Sequence, residues 1–410
     1  MKVLITASTY PRYHGDTIPG FVHDFASHLV ASPACEEVHV VVPHAEGIKQ
    51  YEEIGGVKIH RFRYWFSEKG ENITYGGAVQ KMSKSPTYLL KLASLLFCQL
   101  FATYRISRHY KVSVINAHWL IPMGFTACLT KLVTRVPVLI TIHGGDVFSL
   151  RSGMMAKLKT WSLKHADAVV VNSSATYQEA KKLYDAKEYP IIPMGVDTDG
   201  LQPVEKKANK EDDSLRLLFV GRLSEEKGVQ YLIEAVSHIA RSGKKVQLTI
   251  AGSGPKEDIL QDQVRRLKLE DYIKFVGWVS HDMFPELFSK NDVFVGPSIV
   301  SDKGWQEAFG LVFAESIALN TPAIGTTTGG IKDIIKNEKN GLLVSPRDAN
   351  ALAAAITRFI DSPDLVTKLM IGARDDIKKR FAWNVTMSGY ASIFENLVVS
   401  ETKSPFVDQD

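Results

Sequence analysis

The clearest signal of the fold is the stretch Leu217-Leu218-Phe219-Val220-Gly221-Arg222-Leu223-Ser224-Glu225-Glu226-Lys227-Gly228. Its first four residues are all apolar, which is typical of a parallel strand covered on both faces. A Gly-Arg turn ends this strand, and a helix is predicted to begin near Gly228. Arg222 offers a planar fork of hydrogen-bond donors and Lys227 a compact charge, which together suit a diphosphate. A plain strand-to-helix loop with surface ion pairs is the alternative.

The same strand-loop-helix unit recurs along the whole chain. Short runs rich in Val, Ile and Leu alternate with helical stretches. The predicted strands are 3–6, 38–42, 57–62, 113–116, 138–142, 168–171 and 190–192, and then 215–220, 247–251, 273–276, 293–295, 323–325 and 341–344. This alternation predicts an α/β fold of doubly wound parallel sheets, whose ligands bind beyond the carboxyl ends of the strands.

A polar segment divides this pattern into two halves. Asp199-Gly200-Leu201-Gln202-Pro203 leads into residues 206–213, which are almost free of apolar side chains, as in a linker. We predict a Rossmann-like domain over 1–199 and a second over 200–384, with an interdomain cleft between their facing sheets. A length of 410 residues allows about two to three domains.

The composition is that of an ordinary globular protein, with 45% hydrophobic and 23% charged residues. Cys35, Cys98 and Cys128 are far apart, which argues against a disulfide framework and favours a reducing, cytoplasmic location. Residues 1–7 are predicted to be a buried strand rather than a secretion signal. No apolar run reaches the roughly 20 residues that span a bilayer, and residues 92–104 come closest.

The net charge of +4 is unevenly distributed. Residues 57–164 contain 16 Lys and Arg but only 3 Asp and Glu. Such an excess attracts an anionic membrane surface or an acidic substrate, and a solvated basic face is the alternative. Together with the apolar residues 92–104, it suggests peripheral association with the inner face of the cell membrane. Packing of residues 92–104 in the core is the alternative there.

A second motif is Glu307-Ala308-Phe309-Gly310-Leu311-Val312-Phe313-Ala314-Glu315. On one helix the two glutamates would lie roughly 80° from a common face, because eight residues turn through about 800°. We therefore place Glu307 in a loop and begin the helix near Gly310, with its first amides directed at an anion. Glu315 can then accept hydrogen bonds from ribose hydroxyls and Glu307 from a sugar ring. Two carboxylates that stabilise the helix dipole are the alternative.

Two glycine loops, Gly252-Ser253-Gly254-Pro255 and Gly329-Gly330, each follow a predicted strand. Each is either a loop that something approaches closely or merely a turn. With the loops at 221–228 and 296–298, four loops end neighbouring strands of one predicted sheet. That arrangement favours a ligand site.

The first half supplies further candidates at strand ends. The loop from Tyr10 to Val22 contains Gly20 and follows the first strand. His143-Gly144-Gly145-Asp146 follows another, and His143 can hydrogen-bond a sugar hydroxyl or move a proton. A structural histidine is the alternative. His118-Trp119 ends a third strand, where it would line the acceptor side.

Asp197-Thr198-Asp199 has the DxD pattern by which some sugar transferases bind Mg²⁺ or Mn²⁺. It lies in the proposed interdomain linker, so we interpret it as coincidental. No other group of residues has metal-ligand spacing. We therefore expect no metal site.

Together these residues resemble the retaining GT-B glycosyltransferases of family four, the glycosyl transferases group 1. The resemblance rests on Gly221-Arg222 with Lys227-Gly228, on Glu307-x7-Glu315, and on Thr321-Pro322 with Gly329-Gly330. It covers nearly the whole chain, including Gly195-Val196-Asp197 and Trp383. It implies a nucleotide held by the second Rossmann-like domain, an acceptor held by the first, and a final helix at about 385–400 that crosses back to the first.

The resemblance implies a role for each matching residue. Arg222 and Lys227 would bind the diphosphate, and Gly20 would approach it. Glu315 would hold the ribose, and His143 would lie beside the reacting sugar. The donor sugar would be held by Glu307 and by the amides of Phe309, Gly310 and Leu311. Two positions depart from the family pattern. Gly15 and Gly20 are separated where the family has an adjacent pair, and Asn320 replaces a glycine before Thr321, which asparagine tolerates.

The implied activity is a retaining transfer of a sugar from a nucleotide-diphospho-sugar to a hydroxyl of a saccharide or lipid-linked acceptor. The family needs no metal or cofactor, and no nucleic acid partner is expected. A nucleotide-sugar epimerase on the same fold and a nucleotide-sugar-binding protein without catalysis are the alternatives. A nicotinamide oxidoreductase is not favoured, because the first strand is not followed by G-x-G-x-x-G.

Overall fold

The computed structural model describes residues 1–13, 16, 20–75, 86–204 and 213–402, which form two compact α/β units. The first unit comprises Met1–Asn172, Tyr177–Ile192 and the chain from Thr386 onward. The second comprises Ser173–Thr176 and Pro193–Val385. Gly15 and most of the predicted linker, residues 205–212, lie outside the described residues.

A seven-stranded sheet forms the centre of the described part of the first unit. Its strands are β1 (Lys2–Thr6), β2 (Glu37–Pro43), β3 (Tyr51–Ile54), β4 (Val57–Phe62), β5 (Val114–His118), β6 (Val138–Ile142) and β7 (Ala168–Val171). The spatial order is β3-β4-β2-β1-β5-β6-β7, and β3 alone among these described strands pairs antiparallel, with β4. Every residue of β5 and β6 is buried, as expected for parallel strands with both faces covered.

Helices connect these strands. They are α1 (Phe21–Val30), α2 (Pro86–Tyr110), α3 (Phe125–Thr134), α4 (Gly145–Phe148), α5 (Gly153–His165) and α6 (Ser174–Leu183). The first unit also includes most of the final helix of the chain, Trp383–Thr402. Tyr390 of that helix is fully buried against Phe25, and its hydroxyl donates to Thr141 Oγ1 at 3.2 Å. These contacts attach the end of the chain to the first sheet.

The second unit has a six-stranded sheet among its described residues, and all of its pairings are parallel. Its strands are β8 (Leu215–Val220), β9 (Val246–Ala251), β10 (Ile273–Gly277), β11 (Val293–Gly296), β12 (Ala323–Thr326) and β13 (Gly341–Val344), in the order β10-β9-β8-β11-β12-β13. The four predicted loops thus follow β9, β8, β11 and β12, which are adjacent. The predicted α/β class with doubly wound parallel sheets is confirmed.

The helices of the second unit cover this sheet. They are α7 (Val229–Arg241), α8 (Glu257–Leu267), α9 (Phe284–Ser289), α10 (Leu311–Ala318), α11 (Ile331–Ile334), α12 (Ala349–Asp361), α13 (Asp364–Met370) and α14 (Ala373–Phe381), and α15 (Trp383–Thr402) begins here. Asn320, after α10, adopts the predicted left-handed conformation, with φ of 56°. It therefore replaces a glycine at a helix end.

One predicted strand was wrong, and one strand was not predicted. Residues 190–192 form only an isolated bridge, from Ile191 to Val171. The edge strand β3 was not predicted, because its sequence Tyr-Glu-Glu-Ile is short, charged and largely exposed. An edge strand with one neighbour needs few apolar residues, so its sequence carries little signal.

Helix α2 is longer than the apolar stretch 92–104 had suggested. It has 25 residues and is, within the described residues, the one helix long and apolar enough to cross a membrane by length and composition. Core helices of globular proteins pass the same test, but only 22% of its most apolar window is buried. The apolar stretch 92–104 is thus the central part of a longer helix.

Candidate active site

The loops that follow β8 and β9 are hydrogen-bonded to each other. The amide of Gly221 donates to Ala251 O at 3.0 Å, and that of Leu223 to Ser253 O at 3.0 Å. A Cβ atom placed on Gly252 would lie 1.9 Å from the carbonyl oxygen of Gly221. Gly252 is thus required by close approach of the two loops, and not merely by a turn.

Lys227 and Glu307 meet at the carboxyl ends of β8 and β11. Lys227 Nζ lies 2.5 Å from Glu307 Oε2, and the two side chains are 25% and 15% exposed. Burial disfavours the charged form of Lys227, but the charge and hydrogen bond of Glu307 outweigh it, so the pKa of Lys227 is raised. The structure therefore joins a predicted diphosphate ligand and a predicted sugar ligand in one ion pair, 80 residues apart in sequence.

The loop after β12 supports the backbone of Glu307. The amide of Gly330 donates to Glu307 O at 3.2 Å. Gly329 has φ of +57°, and a Cβ atom on it would lie 1.8 Å from the same oxygen. The Gly329-Gly330 pair is therefore a close-approach loop, and it determines where the Glu307 carbonyl lies.

The predicted break between Glu307 and Glu315 is confirmed. Helix α10 begins at Leu311, after Gly310 in the left-handed region, so Glu307 lies in the preceding loop and Glu315 one turn into the helix. The amides of the first turn have no partners within the helix, as at every helix start. Phe309 is buried with its ring on Phe381, so its amide rather than its ring is the group available to a ligand.

Glu315 is engaged by a histidine that the sequence analysis missed. Its Oε1 lies 2.9 Å from Nε2 of His281, and Glu315 is 5% exposed while the His281 side chain is 55% exposed. His281 lies in a short turn that follows β10. Its position after a predicted strand was the available signal, but no motif residue stands near it. A ribose bound to Glu315 would compete with this hydrogen bond.

Arg222 lies in a loop after a strand, and Gly20 directly precedes a helix. Arg222 follows Gly221 in the loop after β8, and its side chain is exposed. Gly20 precedes α1 with an ordinary φ of −77°, and a Cβ atom there would be 3.6 Å from Asp24 Oδ2. No contact within the described residues requires a glycine at position 20.

His143 lies at the end of β6, in the first unit. Its Nε2 is 2.9 Å from Nδ1 of His118, and its ring contacts Phe21 and Trp119, with centroids 4.9 and 5.2 Å away. Burial lowers the pKa of His143 to about 3 and also lowers that of His118. His118 is 0% exposed, so the expectation that it lines the acceptor side is wrong. Trp119 is partly exposed.

The loop that carries His143 is held by Asp146. This buried carboxylate accepts hydrogen bonds from the amides of Leu120 at 2.9 Å and Gly144 at 2.8 Å. Burial raises the pKa of Asp146, although these two amide donors act against the rise. Asp146 therefore holds the backbone that follows each of the two histidines.

The aspartates of the DxD motif have separate partners. Asp197 Oδ1 accepts from the amide of Gly200 at 2.8 Å, and Asp199 Oδ1 accepts from Lys378 Nζ at 2.7 Å. Within the part of the chain that the structure describes, no group of three or more His, Cys, Asp or Glu residues is arranged to hold a metal ion.

Known proteins show the same division of the chain. The family model described as Glycosyltransferase Family 4 matches residues 20–199, and the one described as Glycosyl transferases group 1 matches residues 202–376. The glycogen synthase of Mycobacterium tuberculosis is 29% identical over 297 residues, which are 70% of this chain and 69% of that protein.

Two solved structures share the fold. Sucrose-phosphate synthase from Thermosynechococcus elongatus has a TM-score of 0.80 at 22% identity, over 97% of this chain and 99% of that chain. Anabaena Alr3699/HepE, solved in complex with UDP and glucose, has a TM-score of 0.73 at 18% identity, over 97% of this chain and 100% of that chain. The two parallel-sheet units, the two family matches and these likenesses agree: the chain belongs to the glycosyl transferases group 1 and is a glycosyltransferase with the GT-B fold.

Proposed function

We propose that this enzyme moves a sugar from a nucleotide-diphospho-sugar to a hydroxyl of a saccharide or lipid-linked acceptor, with retention of configuration and without a divalent metal. The observation that carries the proposal is the Lys227–Glu307 ion pair of 2.5 Å among four loops that end adjacent strands. A diphosphate needs cations, and a sugar ring needs hydrogen-bond acceptors. The complex of HepE with UDP and glucose supports a donor of this class.

Arg222 and Lys227 are the proposed diphosphate ligands. Both follow β8, and Lys227 stays cationic because Glu307 raises its pKa. When the glycosidic bond to the diphosphate breaks, negative charge grows on the leaving oxygen, and preorganised cations stabilise it. Removing one such group typically lowers kcat by roughly 10²–10³. Gly20, before helix α1, is the remaining proposed neighbour of the diphosphate.

Glu307, the amides that begin α10, and Glu315 are the proposed ligands of the sugar and the ribose. Lys227 binds Oε2 of Glu307 and so orients the carboxylate, whose Oε1 can accept from a sugar hydroxyl. The amides of Phe309, Gly310 and Leu311 supply donors at a helix start. Glu315 exchanges its bond with His281 for bonds to the ribose. His143 is proposed to hydrogen-bond the reacting sugar.

Donor identity is tested first by a thermal-shift screen with UDP-, GDP- and ADP-sugars. A donor at 100 times its Kd stabilises the protein by about 2.7 kcal/mol through mass action. Turnover of Arg222→Ala and Glu315→Ala with the selected donor then tests the site. Wild-type kinetics in both variants would refute the assignment. Conversion of the donor to an isomeric nucleotide-sugar without an acceptor would indicate an epimerase, and tight binding without turnover a binding protein.

Retention and metal independence each need a direct measurement. The anomeric configuration of the glycosidic bond in the product, determined by ¹H NMR, is expected to equal that of the donor. Turnover is expected to be unchanged after exhaustive treatment with EDTA. Inverted product would overturn retention, and loss of turnover restored by Mg²⁺ or Mn²⁺ would overturn metal independence.

The proposal also includes docking of the first unit on an anionic membrane. Leu90, Phe97, Phe101 and Tyr104 fall within about 60° of one another on α2, given 3.6 residues per turn, and each is at least 37% exposed. The opposite face of α2 buries polar Gln99 and Thr103, and Gln99 Nε2 donates to Thr126 Oγ1 of α3 at 2.7 Å. A helix held by these contacts along the domain suits the membrane surface better than a transmembrane position.

Charge supports an anionic lipid surface as the partner. Residues 86–164 contain ten Lys and Arg and one acidic residue, Asp146, which is buried. Each Lys or Arg near such a surface contributes about 1 kcal/mol. Phe97→Glu is expected to abolish co-sedimentation with phosphatidylglycerol vesicles. Ile259→Glu, on the exposed α8 of the second unit, is the matched control. Absence of wild-type binding at every salt concentration would overturn the proposal.

A further inference from the structure

His118 supports His143 from inside the first sheet. His118 is the last residue of β5 and pairs in register with Thr141 of β6, two residues before His143. The hydrogen bond of 2.9 Å joins Nδ1 of His118 to Nε2 of His143. His118 is wholly buried, whereas His143 is partly exposed. His118 therefore contacts the ring of His143 but is not itself accessible to a ligand.

Only one proton can lie between the two rings. Burial lowers the pKa of both histidines, so both are neutral near pH 7. A neutral imidazole has one nitrogen that donates and one that accepts. The hydrogen bond therefore has two possible directions, and each direction fixes the protonation of both outer nitrogens, Nε2 of His118 and Nδ1 of His143.

The surroundings of His118 favour one of the two directions of this hydrogen bond. Its Nε2 is buried and has no hydrogen-bond partner among the described residues. If His143 donated, that Nε2 would carry a proton, and the buried N–H would be unsatisfied. Orphaned buried N–H groups are rarer in proteins than under-satisfied acceptors. The favoured direction is from His118 Nδ1–H to His143 Nε2, which leaves the proton of His143 on Nδ1.

We propose that His118 is a positioning residue that fixes His143 as its Nδ1–H tautomer, so that His143 donates a hydrogen bond to an oxygen of the donor sugar rather than accepting a proton. The sugar contact rests on the proposed function, but the tautomer does not. Asn172 Nδ2 donates to the backbone oxygen of His143 at 3.2 Å and holds the loop in place. With its orientation and tautomer determined, His143 needs no rearrangement to donate.

The tautomer is measured directly by two-bond ¹H–¹⁵N NMR on the full-length protein labelled at histidine. The spectrum distinguishes protonated from bare ring nitrogens, and His143→Asn assigns the signals. At pH 7 we expect a protonated Nδ1 and a bare Nε2 in His143. A protonated Nε2 would overturn the proposal. This measurement needs neither donor nor acceptor, so it stands even if the proposed function fails.

Turnover of His118 variants tests the positioning role. His118→Phe keeps an aromatic ring but removes the donor, and kcat is expected to fall about tenfold or more, as for loss of one orienting hydrogen bond. His118→Asn supplies an N–H near the original Nδ1 and should restore most of the loss. Unchanged kcat in His118→Phe, or no recovery in a folded His118→Asn, would refute a positioning role.

A second histidine pair in the same sheet provides the control. His39 Nδ1 and His60 Nε2 are 3.1 Å apart, and His39 and His60 lie on β2 and β4, away from β5 and β6. His60→Phe removes a similar bond and is expected to leave kcat unchanged. An equal fall in His60→Phe and His118→Phe would mean general destabilisation and would overturn the proposal.

Discussion

The contact between Gly329 and Glu307 allows a quantitative prediction for Gly329→Ala. The new Cβ atom would lie 1.8 Å from Glu307 O, whereas real Cβ contacts essentially never fall below 3.0 Å. The two atoms must therefore separate by at least 3.0 − 1.8 = 1.2 Å. A misplacement of about 1 Å in an active site costs roughly 10²-fold in rate. We expect kcat/KM to fall about 100-fold, which corresponds to about 2.7 kcal/mol.

The matched control is Gly243→Ala. Gly243 also has a positive φ, +79°, but a Cβ atom there would meet nothing within 4 Å. Both alanines therefore carry similar backbone strain, about 1–2 kcal/mol in the left-handed region. Only Gly329→Ala displaces the loop of Glu307. Gly243→Ala is expected to lower stability by that strain and to keep kcat/KM within about twofold of wild type.

The assay is release of the nucleotide diphosphate from the donor chosen by the thermal-shift screen. Far-UV circular dichroism and thermal melts establish that both variants are folded before their rates are compared. If a folded Gly329→Ala retains kcat/KM within about threefold of wild type, then the position of Glu307 does not limit the reaction. That result would refute the link between this loop and the donor sugar.

Three further predictions concern single side chains. Lys227→Met leaves the Glu307 carboxylate, which is only 15% exposed, without its cation. We therefore expect kcat to fall roughly 10²–10³-fold in turnover assays, whereas the control Lys256→Met should stay near wild type. His281→Ala removes the group that competes for Glu315 Oε1, so calorimetric titration should show nucleotide binding up to about tenfold tighter, and weaker binding would contradict competition. Because burial lowers the pKa of His143 to about 3, its ring should stay neutral from pH 8 down to pH 5, and a midpoint near 6.5 in its ¹H–¹³C NMR titration would contradict the buried pair.

Most strands could be predicted from the sequence, because a strand that is buried on both faces needs apolar residues at consecutive positions. Continuous Val, Ile and Leu runs predicted the central strands of both sheets, such as β5, β6 and β8. The pattern failed at β3, where an exposed edge needs few apolar residues, and at 190–192, which forms only a bridge. At 190–192 the outcome depends on pairing with Val171, which the local sequence does not reveal.

Composition predicted that the region around α2 is basic and apolar, but not which face of the helix is buried. A sequence that alternates Phe97 and Phe101 with Gln99 and Thr103 is compatible with either face being buried. The structure buries the polar face against α3 and exposes the apolar one. Packing against neighbouring elements determines which face is buried, because the buried Gln99 Nε2 finds a hydrogen-bond acceptor in Thr126 Oγ1 of α3.

The features of the candidate site can likewise be separated into those that the sequence determined and those that depend on the tertiary structure. Sequence alone determined that Glu307 and Glu315 belong to different elements, because a helix turns through a fixed angle per residue, and α10 confirms it. It also determined that four loops would end strands of one sheet. The Lys227–Glu307, Glu315–His281 and His118–His143 contacts were decided only by the tertiary structure. Each contact joins residues that follow or end different strands. The distance between the two side chains therefore depends on the order of the strands in the sheet, and the hydrophobic pattern of the sequence does not encode that order.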